Sequence, residues 1–74
     1  MWKILLVDDE PKDHALLAMV LPSEFRLLSC FTGSEALSTI QGEKPDLVLL
    51  DIRLPDMNGI EVLRCLGAAR ILPE

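Results

Sequence analysis

Two short apolar runs, each ending in acid, constrain this chain more than anything else in it. Ile4-Leu5-Leu6-Val7 leads into Asp8-Asp9-Glu10, and Leu47-Val48-Leu49-Leu50 leads into Asp51. Four apolar residues without polar alternation suit a strand covered on both faces, as in a parallel sheet between helix layers. The same runs are far too short to span a bilayer. Met1-Trp2-Lys3 passes straight into the first run, without the charged region and cleavage site of a signal peptide. The expectation is a cytoplasmic chain with no membrane contact.

The segments between these strands follow a helical rhythm. Pro11 suits a first helical turn, Ala15, Leu16, Met19 and Val20 form an apolar stripe, and Pro22 stops the helix. Residues 25–30 are a weaker strand candidate that fits a sheet edge. Thr32-Gly33-Ser34-Glu35 has the pattern of a capping box, and the helix it opens buries Ala36, Leu37 and Ile40 before Gly42 ends it. Asn58 caps a third helix, with Ile60, Leu63 and Leu66 facing inward. With strands over residues 4–7 (β1), 25–30 (β2) and 47–50 (β3), the order is β1-α1-β2-α2-β3-α3. Strands alternating with helices imply parallel pairing through right-handed crossovers.

Half of the 74 residues are apolar, which fits one small globular unit over residues 1–74. A chain this short buries only roughly 60% of its unfolded surface, so its stability is marginal. Cys30 and Cys65 lie in apolar periodic segments and are expected to be reduced core residues rather than a disulfide or metal pair. A net charge of −5 argues against nucleic-acid contact through a basic patch.

Parallel strands point their carboxyl ends the same way, and open α/β sheets bind ligands at that end. Asp8, Asp9 and Asp51 all fall there. If the first and third strands are neighbours, three carboxylates share one small pocket and repel one another strongly. A hard divalent cation removes that conflict, and Mg²⁺ prefers carboxylates, a carbonyl and retained waters. The same ion neutralises phosphoryl oxygens, so the pocket suits phosphoryl chemistry. The plainer alternative for each feature is structural: an acidic run after a strand favours the positive end of a helix, and a lone Asp there is a turn residue.

Residues 45–59, Pro-Asp-Leu-Val-Leu-Leu-Asp-Ile-Arg-Leu-Pro-Asp-Met-Asn-Gly, closely resemble the phosphorylation-site block of two-component receiver domains. The run from Ile4 to Glu10 resembles their opening block, and Gly33-Ser34-Glu35-Ala36-Leu37 fits their second helix. The resemblance implies a three-layer α/β fold of the flavodoxin-like receiver type, with strand order 2-1-3 over the portion present. It implies that Asp51 is the phosphoacceptor, served by a sensor histidine kinase or phosphotransfer protein. It further implies Mg²⁺ held by Asp9 directly, by Asp8 mainly through water, by Asp51, and by the backbone carbonyl of Arg53. Pro55 would stiffen the loop, Gly59 would permit a tight helix start, and Met57 would pack beneath.

The remaining conspicuous residues have ordinary expectations. His14 is read as exposed or capping, Trp2 as packing at the sheet margin, and Lys12, Lys44 and Arg64 as solvated charges. The Arg53 side chain is read as exposed near the site. A receiver has five β-α units and this chain carries three, so the family's Ser/Thr and Lys partners of the phosphoryl group fall after Glu74. Phosphorylation is then expected to be slow. The third strand, central in the family, becomes an edge, which predicts a homodimer or larger assembly through the β3/α3 region, with residues 68–74 able to join it. Against the phosphoacceptor module stands a self-association module. An Mg²⁺-dependent phosphohydrolase fits less well, because Arg53 stands where such enzymes carry a second acid.

Overall fold

A computed structural model describes residues 1–65. Three strands, β1 (Trp2–Val7), β2 (Phe25–Cys30) and β3 (Leu47–Leu50), alternate with three helices, α1 (Pro11–Val20), α2 (Gly33–Glu43) and α3 (Gly59–Cys65). The sheet is parallel in the order β2-β1-β3, as expected. In register, Val7 lies opposite Cys30 on one side and Leu50 on the other. At the amino end, Lys3 and Asp46 lock the sheet: the Asp46 N–H donates to the Lys3 carbonyl at 2.8 Å, and the Lys3 N–H donates to the Asp46 carboxylate at 2.7 Å.

Side chains alternate across a strand, so each strand presents two faces. Leu5, Val7 and Cys30 meet Ala36 of α2 and Val62 of α3 in a closed core, with Leu28, Leu37, Ile40, Val48, Leu50, Leu54 and Met57 packed around it. Ile4 and Leu6 are buried on the opposite face. Right-handed crossovers explain this division: the chain moves one way across the sheet from β1 to β2 and the other way from β2 to β3, so α1 and α2 take opposite faces.

Several expectations need correction. In α1 the residues named as the apolar stripe stay exposed, Leu16 at 60%, Met19 at 80% and Val20 at 74%, while His14 is buried at 7%. The helix is apolar almost all round from Ala15 to Val20, so periodicity could not say which side faces the sheet; the inward line runs through His14 and Leu17. Gly42 does not end α2. The helix continues to Glu43, and Lys44 closes it in the left-handed region at φ 51°. In α3, Val62 is the fully buried residue, Ile60 and Leu63 are half-buried, and Leu66 lies outside the described residues. Cys30 is buried as expected, but Cys65 is exposed. Trp2 stands at the sheet margin, 60% exposed.

Candidate phosphoacceptor site

The ladder that holds β1 in the middle of the sheet continues one residue past the strand ends. The Asp8 N–H donates to the Cys30 carbonyl at 3.0 Å, and the Asp51 N–H donates to the Val7 carbonyl at 2.9 Å. Asp8 and Asp51 therefore lie side by side, at the point where the chain's direction across the sheet reverses. Asp9 follows directly. One carboxylate oxygen from each of Asp8, Asp9 and Asp51 lies within 4.8 Å of the others, with Asp8 and Asp51 half-buried and Asp9 exposed. A shallow depression lined by Leu6, Asp8, Leu49, Leu50 and Asp51 opens beside them.

Local hydrogen bonds turn the acids. Asp8 Oδ1 accepts the Glu10 N–H at 2.9 Å, and Asp51 Oδ1 accepts the Arg53 N–H at 3.0 Å. Both are the short side-chain-to-backbone turns that aspartate forms after a strand. The Gly59 N–H donates to the Ile52 carbonyl at 2.7 Å, and Arg53 pairs with Asn58 across the loop. A Cβ at Gly59 would meet the Asp51 carbonyl oxygen at 2.5 Å and the Ile52 Cα at 2.9 Å. The glycine is therefore required by close backbone approach directly behind the candidate acceptor. The Arg53 side chain is exposed, as expected.

Three residues of this region had no such role in the sequence reading. Asp56 spans from the loop after β3 to the start of α2: Oδ1 accepts the Gly33 N–H at 2.7 Å, and Oδ2 accepts the Ser34 N–H at 2.9 Å and its hydroxyl at 2.8 Å. These donors, the Gly33 amide first, hold the Asp56 carboxyl below the ordinary aspartate value. Thr32 caps the same helix as anticipated, accepting the Glu35 N–H at 3.2 Å, while Glu35 reaches back to the Phe31 N–H at 3.1 Å, one residue beyond the usual box. Asp13 in α1 adds a fourth acid: side-chain hydrogen bonding with Asp8 first, then desolvation, then repulsion from Asp8 and Glu10 raise its pKa. His14, read as exposed or capping, is buried and donates from Nε2 to the Asp8 carbonyl at 2.8 Å. No linear spacing marks Asp56, whose partners lie more than twenty residues away.

Among the described residues, no helix is long and apolar enough to cross a membrane.

Comparison with known proteins fits this geometry. Residues 4–72 match the response regulator receiver domain. The chain is 46% identical over 72 residues to the DNA-binding response regulator MtrA of Mycolicibacterium smegmatis, covering 96% of this chain and 32% of that protein. It is 43% identical over 63 residues to sporulation initiation phosphotransferase F of Bacillus subtilis, covering 84% and 51%. The chain thus spans about a third of the first and about half of the second. The BeF3-activated receiver domain of Klebsiella pneumoniae RstA superposes with a TM-score of 0.80 at 38% identity, covering 96% of this chain and 62% of that one. The Thermotoga maritima CheB response regulator domain gives 0.81 at 27% identity, covering 93% and 55%. Paired strand-end acids, the 2-1-3 sheet and these matches agree, and the chain belongs to the response regulator receiver domain family.

Proposed function

We propose that residues 1–74 act as a single receiver unit whose Asp51 takes a phosphoryl group from a phosphohistidine of a sensor histidine kinase or phosphotransfer protein. The observation that carries this reading is the convergence of Asp8, Asp9 and Asp51 within 4.8 Å at the ends of neighbouring strands. Three carboxylates at that spacing repel one another strongly. An all-carboxylate oxygen donor set fits Mg²⁺ in chemistry, since that ion prefers a few carboxylates together with retained waters. Asp9 and Asp51 would hold the ion directly, Asp8 mainly through water, and the Arg53 backbone carbonyl would complete the protein ligands. When bound, the ion supplies positive charge to the carboxylates and to the incoming phosphoryl oxygens.

Asp51 acts as the nucleophile. One carboxylate oxygen attacks phosphorus in line with the P–N bond, that bond breaks, its electron pair returns to the donor imidazole, and an acyl phosphate remains on Asp51. The Arg53 amide orients the carboxylate for this approach. The chain is then a phosphoacceptor rather than an enzyme with turnover, working in the cytoplasm through protein partners and not through nucleic acid.

Beryllofluoride with Mg²⁺ tests the reading as a phosphoryl mimic. Amide resonances of Asp8, Asp9 and residues 51–53 are expected to shift, and Asp51→Asn is expected to abolish the response. No change at millimolar Mg²⁺ in the folded wild-type chain would overturn it.

The exposed outer edge of β3 favours a second reading, a homodimer formed through the β3/α3 region. Leu47 is 49% and Leu49 39% exposed along a strand with no partner on that side among the described residues. Such an edge pairs readily with another chain. Residues 68–74, expected to join the contact, lie outside the described residues. Sedimentation is expected to show a dimer, and a folded monomer at high concentration excludes it.

A further inference from the structure

The turn that presents Asp8 and Asp9 is gripped from behind by an imidazole. His14 lies in the first turns of α1, is buried, and donates from Nε2 to the Asp8 carbonyl at 2.8 Å. A carbonyl only accepts, so this contact puts the ring hydrogen on Nε2. Nδ1 is buried with no partner among the described residues. The ring rests on Phe31, centroids 4.2 Å apart and planes tilted by 31°. Phe31 directly follows Cys30, whose carbonyl accepts the Asp8 N–H. The imidazole thus ties the turn after β1 to the loop after β2.

Packing alone does not explain a histidine here. Contact with Phe31 asks only for a flat apolar ring, and a phenyl group would bury without leaving an unpaired nitrogen. The imidazole adds one thing a phenyl lacks, its bond to the Asp8 oxygen. That oxygen belongs to the peptide joining Asp8 to Asp9. A peptide is planar, so fixing its carbonyl fixes the plane from which both side chains leave. The Asp8 N–H is already fixed by Cys30 and Asp8 Oδ1 by the Glu10 amide. His14 holds the carbonyl, the one remaining polar group of Asp8 that these bonds leave loose.

We propose that His14 is a positioning residue for the acid triad, holding the Asp8–Asp9 peptide so that both carboxylates face Asp51 before a cation arrives. The inference rests on the metal-site reading of Asp8, Asp9 and Asp51. Without the Nε2 bond the turn samples other orientations, and apparent affinity falls by the fraction of chains that remain competent. Losing one hydrogen bond of this kind corresponds to about a three- to tenfold weaker apparent affinity. The saturated complex keeps its geometry, so the endpoint of a titration stays where it was.

Mg²⁺ titration of the whole chain, followed through the Asp9 and Arg53 amide resonances, tests this. His14→Phe is expected to raise the half-saturating Mg²⁺ about three- to tenfold with the same endpoint, and His14→Gln, which keeps an N–H within reach, to recover part of the loss. Phe31→Leu, which removes the ring contact but keeps the imidazole, is expected to lower the melting temperature without moving the Mg²⁺ midpoint. Unchanged affinity in His14→Phe overturns the proposal, as does equal weakening in Phe31→Leu. A wild-type chain that binds no Mg²⁺ sinks the metal reading and this inference together; binding lost in Asp51→Asn but intact in His14→Phe sinks the inference alone. If His14→Phe does not fold, the wild-type ring decides: a slowly exchanging Nε2–H supports the role, and an Nδ1–H tautomer refutes it.

Discussion

The two faces of this small sheet are finished to different degrees. On one, Leu5, Val7, Cys30, Ala36 and Val62 interlock, and β1, α2 and α3 share a core from which water is excluded. On the other, Ile4 and Leu6 are buried, but α1 leaves its own Leu16, Met19 and Val20 in water, and β3 exposes Leu47 and Leu49. The acid triad sits at the boundary. Asp51 leaves β3, whose Val48 and Leu50 pack against the closed core, while Leu6 and Leu49 line the open depression next to it. A receiver can thus set its acceptor geometry from one well-packed face while the other stays open for further contacts.

Truncation of paired leucines gives the largest test of this contrast. Leu5→Ala removes a fully buried side chain from the closed core and is expected to cost about 3 kcal/mol, enough to unfold much of a domain this small. Leu49→Ala, on the open face, is expected to cost less than about 1 kcal/mol. Urea unfolding of both variants reads the difference. Comparable losses would mean that the β3 face is covered in solution, and the contrast between faces would collapse.

Gly59→Ala comes next. The added methyl meets backbone behind Asp51 rather than a side chain that can turn away. Relief requires the start of α3 to move, at about 1–3 kcal/mol for overpacking of this kind. Because Asp51 is the backbone it strikes, the variant should also weaken Mg²⁺ binding. Wild-type stability with wild-type Mg²⁺ affinity would show the loop to be pliable, and the closed face would not be what sets the acceptor.

Asp56 allows a pH test of the same link, smaller in effect. Its carboxylate, held by the first two amides of α2, has a lowered pKa. A carboxyl lowered on folding stabilises the native state above its unfolded pKa and loses that contribution as pH falls through the folded value. Asp56→Asn is therefore expected to melt below wild type at neutral pH, with the gap closing as the pH falls below the ordinary aspartate range. A gap independent of pH would mean that the loop is held by its shape and not by the ionised clamp.

What the sequence made legible follows the same division. The alternation of strands and helices and the acids at strand ends were readable because runs such as Leu47-Val48-Leu49-Leu50-Asp51 carry their meaning locally: an apolar strand, then acid at its carboxyl end. The strand order that brings those acids together is not written in any local run and came only through the resemblance to receiver domains. The Asp56 clamp and the His14 bond were not readable, since each depends on a partner brought near by the fold. The orientation of α1 was hidden for a different reason. With apolar residues on every side from Ala15 to Val20, no stripe distinguishes the face against the sheet from the face left open.

The misplaced end of α2 yields the smallest prediction. Gly42 was expected to close that helix, yet it lies inside it with nothing within 4 Å of an added Cβ, while Lys44 takes the left-handed conformation at φ 51°. The two residues occupy each other's favoured positions. Gly42→Ala removes backbone freedom from the unfolded chain at no steric cost and is expected to stabilise by about 0.5–1 kcal/mol. Lys44→Gly relieves the left-handed strain and is expected to add about 0.5–1 kcal/mol more. The two sites sit two residues apart at one helix end, where effects do not simply add, so the double variant should gain at most about 1–2 kcal/mol in urea. This gain registers only if α2 unfolds together with the sheet. Were the open face to melt first as a separate unit, the rim of the closed face would be stabilised without moving the main transition, and the two faces would be separate in cooperativity as well as in packing.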